Sequence, residues 1–295
     1  MMKRSLCLVV SLVWVVAVFA QEDSLKQPGN LTATGSQQFV NTGKKQPVYR
    51  IKVATDIPVF AVAGGWSLYA LQKIYDKTPS TPEQVMNLDK NNINGFDRWA
   101  VRPFDKSLEK TSWYPFFASM SLPFFLLADK KTSKDFLKLT FLYLEAMSVT
   151  GLLYTGAVAA ADRYRPYAYD NSGLTTMQQR TRGGARNSFY AGHVALVATS
   201  GFFVSKVYAD YHPHSAMKWV FYSVAAAGTG LTAYLRYRSG QHFPSDILLG
   251  IAQGTLTGLL TPQIHKPRSK KNNGLSILPY SDGDSRGVMM MYTFK

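Results

Sequence analysis

The stretch Leu235-Arg236-Tyr237-Arg238-Ser239-Gly240-Gln241-His242-Phe243-Pro244-Ser245-Asp246 carries the densest chemistry in the chain. His242 stands four residues before Asp246, Pro244 lies between them, and Arg236 is six residues upstream of the histidine. Proline suits the first turn of a helix, where its missing N–H costs little. A helix starting there sets His242 just before its N-terminus and Asp246 inside its first turns, close enough to orient an imidazole. Free backbone N–H groups and the positive end of the helix dipole gather at the same point, which favours an anion. Arg236 adds a planar guanidinium that fits a phosphate. The stretch therefore reads as a nucleophilic or acid–base histidine beside an oxyanion site. Taken alone, it also reads as an ordinary capped helix start.

Two further polar clusters sit at the ends of apolar segments. Asp162-Arg163-Tyr164-Arg165-Pro166 closes one, and Ser188-Phe189-Tyr190-Ala191-Gly192-His193 opens another. Each has a plain reading: Arg165 as an interface charge, His193 as a helix cap, Asp246 as a partner of the helix dipole. In an antiparallel bundle, however, all three boundaries meet at one end. Arg165, His193, Arg236, His242 and Asp246 then share a pocket. A divalent metal held by the two histidines and Asp246 is a competing reading, but it lacks a fourth ligand.

The elements that must bring these residues together are six apolar segments. They are Ile57 to Tyr69, Trp113 to Ala128 with a kink at Pro123, Phe136 to Ala161, Val194 to Val207, Trp219 to Tyr234 and Ile247 to Leu260. The fold class is all-α, a six-helix bundle. Thr81-Pro82-Glu83 and the run Asn91 to Val101 predict short amphipathic helices between the first two core helices. Asp56-Ile57-Pro58 predicts the cap and first turn of the opening helix. Several apolar runs are shorter than the roughly 20 residues of a bilayer span, and mean hydropathy is only −0.09. A soluble exported bundle therefore stays open beside a membrane-embedded one. Small residues (Gly151, Gly156, Ala225 to Gly228, Gly230, Gly250, Gly254, Gly258) and terminal aromatics (Trp113, Tyr114, Trp219, Tyr222) favour the membrane. Glu145, a carboxylate inside the third segment, reads as a group that pairs with a pocket arginine or locks two helices, or equally as a helix-surface carboxylate of a soluble bundle.

The 295 residues are 46% hydrophobic and carry a formal charge of +15. That balance fits nucleic acid, anionic lipid or a phosphorylated substrate. The cations are scattered between apolar runs, with no base-stacking aromatics among them, which sets nucleic acid aside. Residues 1–20 read as a secretory signal, with Lys3 and Arg4 before an apolar run; an uncleaved anchor is the alternative. Cys7 is the sole cysteine, so no disulfide framework is available. Residues 21–55 read as an exported linker, 56–262 as the helical domain, and 263–295 as a basic tail with a short β-hairpin. The expected location is the inner membrane or periplasmic side of a bacterial envelope. Charge bias between loops leaves the facing open.

The order Arg165-Pro166, Gly192-His193 and Arg236-x5-His242-x3-Asp246 resembles the type 2 phosphatidic acid phosphatase (PAP2) superfamily. That superfamily includes lipid phosphatases, undecaprenyl pyrophosphate phosphatases, class A acid phosphatases and vanadium haloperoxidases. The resemblance spans about residues 56 to 262, and the third motif is its most specific part. It implies a phosphatase that needs no cofactor or metal. His242 would attack phosphorus to form a phosphohistidine, Asp246 would fix its tautomer, and His193 would act as acid and base. Arg165, Arg236 and the Gly192 N–H would hold the phosphoryl oxygens. The implied substrate is a phosphomonoester or pyrophosphate, most simply of an envelope lipid. The sequence departs from the family pattern at Val158, in place of the motif lysine, at Tyr190-Ala191, in place of Pro-Ser, and at Leu235, in place of serine. Arg163, Arg182 and Arg186 are candidates to restore the lost charge. A catalytically impaired protein that binds anionic lipid head groups is the alternative. A vanadate-loaded haloperoxidase is a further one.

Overall fold

A computed structural model describes residues 47–267, 275–281 and 286–292. The segment read as a signal, most of the linker and, in the tail, residues 268–274, 282–285 and 293–295 lie outside the described residues. The helices are α1 (Val53–Tyr75), α2 (Pro82–Met86), α3 (Gly95–Arg98), α4 (Lys106–Thr111), α5 (Trp113–Ser121), α6 (Phe136–Ala160), α7 (Met177–Thr181), α8 (Gly192–Tyr211), α9 (Met217–Arg238) and α10 (Pro244–Ile264). The all-α expectation holds, and each of the six apolar segments is one of α1, α5, α6, α8, α9 and α10. The tail closes in an antiparallel hairpin of β1 (Leu275–Ser281) and β2 (Arg286–Tyr292), with Leu275 opposite Tyr292.

Two boundaries differ from the sequence reading. α1 starts one turn before Asp56, and Pro58 lies inside the helix. The N-cap is Lys52 and not Asp56, which lies within the first turn, where its Oδ2 accepts the Lys52 N–H at 2.6 Å. At Pro123 the second segment does not simply kink: α5 ends at Ser121 and the chain continues as a 3-10 turn, Leu122–Leu127. The short helices fall where expected. Thr81 and Gln84 form a complete capping box on α2, and α3 lies within the run 91–101.

Helix α8 is the axis of the bundle, with α10, α9, α6 and α5 all packed against it. Its approach to α10 is almost backbone to backbone. Glycines recur on one face of α10 every four residues. A Cβ added at Gly250, Gly254 or Gly258 would fall 2.7, 2.2 or 2.6 Å from the carbonyl oxygens of Ala191, Ala195 and Thr199. Gly151 likewise admits Ser67 of α1, and Gly201 admits Ala225 of α9. Gly156, Gly228 and Gly230 do not serve such a contact; their added Cβ atoms would meet nothing within 4 Å. The core between α1, α6 and α8 holds Phe60, Leu142, Tyr143, Phe203 and Val207. The outer faces stay apolar: Val62, Trp66, Phe124, Trp219, Val224 and Leu256 are all exposed.

Candidate active site

The C-terminal ends of α6 and α9 and the N-terminal ends of α8 and α10 meet at one end of the bundle. The links across that end are short hydrogen bonds. The Ala191 N–H donates to the Asp246 carbonyl at 3.1 Å, and the Tyr167 N–H donates to the Gly240 carbonyl at 3.2 Å. Gly240 has φ +71, which a residue with a side chain adopts at a cost, and its backbone turns against Pro103 and Arg102.

His242 is buried. Its Nδ1 lies 2.7 Å from the Ser188 carbonyl oxygen. A carbonyl only accepts, so Nδ1 carries the hydrogen and Nε2 keeps its lone pair. That lone pair is 3.4 Å from a terminal nitrogen of Arg165. Burial, then Arg165 and Arg236, hold the imidazole well below the usual histidine range. The ring is therefore neutral and nucleophilic near pH 7.

No hydrogen bond is seen between Asp246 and His242 among the described residues; the carboxylate reaches the imidazole through its neighbours. Its Oδ2 accepts from Ser188 Oγ at 2.6 Å and from the Phe243 N–H at 3.0 Å. Its Oδ1 accepts from Arg163 at 2.5 Å. The carboxylate thus grips the two segments that flank the imidazole, Ser188 on one side and the backbone of Phe243 on the other. The tautomer is fixed by a backbone carbonyl, and Asp246 fixes the serine that carries it. Position N3 of α10 explains this: an acidic side chain there reaches back to the N-cap N–H.

The two arginines converge on Gln241. Arg165 donates to its side-chain oxygen and, at 3.1 Å, to its backbone oxygen. Arg236 donates to the same side-chain oxygen at 3.4 Å. Arg236 is also 3.3 Å from Ser112 Oγ and 4.0 Å from Glu109 Oε1, residues the sequence reading did not select. Among the described residues its Nε has no hydrogen-bond partner, nor has His193 Nε2, and both atoms are buried. His193 lies in the first turn of α8, edge-on to Trp113 with ring centroids 4.3 Å apart and beside Phe116 at 4.9 Å. Gly192 precedes it, packed so closely under the Tyr154 ring that an added Cβ would fall 2.6 Å from it. Its N–H is among those a helix start leaves without an intrahelical acceptor.

The three arginines proposed to restore charge are otherwise engaged. Arg163 is held between Asp97 at 2.7 Å and Asp246. Arg186 pairs with Asp162 at 3.0 Å, and Arg182 stacks on Phe104 and donates to the Tyr167 hydroxyl. Val158 is fully buried. A lysine does reach its backbone, but from the far end of α1: Lys77 Nζ donates to the Val158 carbonyl at 3.3 Å and to Asp162 at 3.1 Å. A cavity of about 500 Å³ adjoins Phe243 and is lined by Arg163, Asn92, Asn94 and Tyr169.

Ser188 lay inside a cluster the sequence had already marked, and Gln241 inside the opening stretch. Asp97 had no such signal. It is an acidic residue of a short surface piece, yet it is buried and binds both Arg163 and Ser245.

The family model described as PAP2 superfamily matches residues 139–270. The matched segment contains Arg165, Gly192, His193, Arg236, His242 and Asp246. It starts within α6, later than the span from residue 56 read from the motifs. No curated protein matches the chain. One solved structure is similar, described as the first transmembrane PAP2 type phosphatidylglycerolphosphate phosphatase from Bacillus subtilis. It shares 17% identity over 74% of this chain and 98% of its own, with a TM-score of 0.42.

Proposed function

We propose that the protein is a membrane-associated phosphatase of PAP2 type that hydrolyses a phosphomonoester or pyrophosphate of an envelope lipid through a phosphohistidine. The observation that carries this reading is the state of His242: Nδ1–H is spent on the Ser188 carbonyl, which leaves the Nε2 lone pair facing the site, 3.4 Å from an Arg165 N–H donor. In the first step Nε2 forms a bond to phosphorus and the bond to the leaving oxygen breaks. His193, protonated as the phosphate enters, gives its proton to that oxygen. In the second step a water attacks the phosphohistidine, His193 takes the water's proton, and inorganic phosphate leaves. Arg165, Arg236 and the Gly192 N–H hold the three phosphoryl oxygens as charge accumulates. The unpartnered Arg236 Nε and His193 Nε2 are the groups an arriving phosphate would satisfy.

Membrane association is supported by the apolar outer faces and by two helical stretches, Ser133–Ala160 and Pro244–Ile264, that are long and apolar enough to span a bilayer. Phosphate release from a panel of envelope lipid phosphates in detergent micelles tests the activity. His242→Ala is expected to abolish it, and an unchanged rate would remove the assigned nucleophile. A second reading, an impaired protein that binds anionic head groups, is favoured by the Gln241 oxygen between both arginines and by Val158 at the motif lysine position. Head-group binding with no turnover on any panel member would select it.

A further inference from the structure

At the other end of the bundle, three buried ionisable residues from three different segments converge. Asp56 is in the first turns of α1, Glu145 is on the inner face of α6, and His265 follows α10. Counting along α10 at 1.5 Å per residue, this end is roughly 28 Å from Asp246. His265 Nε2 lies 3.1 Å from Asp56 Oδ2 and 3.4 Å from Glu145 Oε2. Glu145 thus meets no pocket arginine; through His265 it links α6 to the end of α10, the helix-locking role expected of it. It is 4% exposed, and its Oε2 is buried without a hydrogen bond.

The orientation of His265 is the informative detail. Its Nδ1 is 2.7 Å from the Thr261 carbonyl oxygen, so Nδ1 carries a hydrogen. In the neutral ring the Nε2 lone pair then faces two carboxylates, an arrangement that repels unless a cation or a proton lies among them. Asp56 is held as firmly, by the Lys52 N–H at 2.6 Å and by Thr55 Oγ1 at 2.7 Å. Outer hydrogen bonds of this kind orient metal ligands. The spacing agrees: bonds of about 2.0–2.1 Å in a tetrahedral site put ligand atoms about 3.3–3.4 Å apart. All three ligand atoms lie within 4.8 Å of one another.

We propose that Asp56, Glu145 and His265 bind one divalent transition-metal ion, with Zn²⁺ as the probe. Two carboxylates and one neutral imidazole neutralise the ion, and the ion supplies the partner that Glu145 Oε2 lacks. The fourth position opens on a cavity of about 710 Å³ between α1, α6 and α10, with Lys52 among its lining residues. The ion ties α1, α6 and the end of α10 together at the end remote from the phosphoryl site. The site stands whether or not the protein is a phosphatase.

The test uses the full chain in detergent, stripped with a chelator and then loaded with Zn²⁺, with bound metal counted by mass spectrometry after gel filtration. One ion per chain is expected. Glu145→Gln and His265→Ala are each expected to weaken binding at least about a hundredfold, whereas His212→Ala, whose ring pairs with Asp129, leaves it unchanged. Loading should also raise the melting temperature of the wild type but not of Glu145→Gln. Co²⁺ substitution of the wild type gives a second readout that needs no variant, a visible d–d band of four-coordinate type. Failure of the wild type to retain metal, or retention undiminished in Glu145→Gln, overturns the proposal.

Discussion

Gln241 shows how much of the site is decided by single atoms. Its amide oxygen accepts from both Arg165 and Arg236, occupying the place between the guanidiniums that a phosphoryl oxygen would take. A hydrogen bond to a charged group contributes roughly 1.5–3 kcal/mol. A ligand that must displace it binds correspondingly less well. Gln241→Ala is therefore expected to tighten inorganic phosphate as a competitive inhibitor by about tenfold; weaker binding would mean that Gln241 orients the arginines instead. His242 makes the second prediction at this scale. Burial and the two arginines disfavour its protonated form, so the neutral nucleophile persists into acid solution, and the acid limb of kcat/KM lies well below about pH 6.5. Removing a neighbouring cation relieves that repulsion, so Arg165→Gln should move the limb to higher pH while lowering the rate. The sign for stability is the same. The unfolded chain takes a proton at His242 near pH 6.5 and the folded chain resists it, so folding weakens as pH falls through that range. A limb that stays in place, or moves to lower pH, in Arg165→Gln would show that the arginine does not set it. Most of these residues were legible because motif spacing names them. The route from Asp246 to the imidazole was not, because it runs through Ser188, which is 58 residues away in sequence from Asp246.

Helix positions were the most legible feature of the chain, since each core helix is a bounded apolar run. Their start and stop residues were less so. Pro58 read as a first-turn proline, yet tertiary contact carries α1 back to Val53. Glycines illustrate the limit well. Composition alone gives every glycine in an apolar run the same meaning, but only those facing another helix matter. Gly254 sits where an added Cβ would fall 2.2 Å from the Ala195 carbonyl, whereas Gly230 has nothing within 4 Å. Gly254→Val should therefore force α10 off α8, cost about 3 kcal/mol or more, and separate His193 from His242. Gly230→Ala should be neutral or stabilise by up to about 1 kcal/mol through helix propensity. Unfolding of both variants in the same detergent checks the contrast. Equal destabilisation would mean that the α8–α10 contact does not set the geometry of the site.

The molecule as a whole joins a polar end to apolar flanks. Helices that are apolar on their outer as well as their inner faces satisfy their backbone internally and tolerate lipid on the outside. Val62, Trp66, Phe124, Trp219, Val224 and Leu256 are exposed on such faces. On the proposed reading, a lipid whose acyl chains lie along them would bring its phosphate to the end where the two histidines and two arginines meet. The sequence could not show this convergence directly, because it depends on four helix ends from residues 160 to 244 meeting in space. It was inferable only from the up-and-down order of the helices. The central claim is that His242 becomes covalently phosphorylated there. The direct measurement is acid-free quenching of the protein in detergent after mixing with ³²P-phosphatidate, followed by mapping of the label. Label on His242 that is stable in base and lost in acid, present in His193→Ala and absent from His242→Ala, is the predicted result. Turnover of the lipid with no label on His242 at any quench time would contradict it.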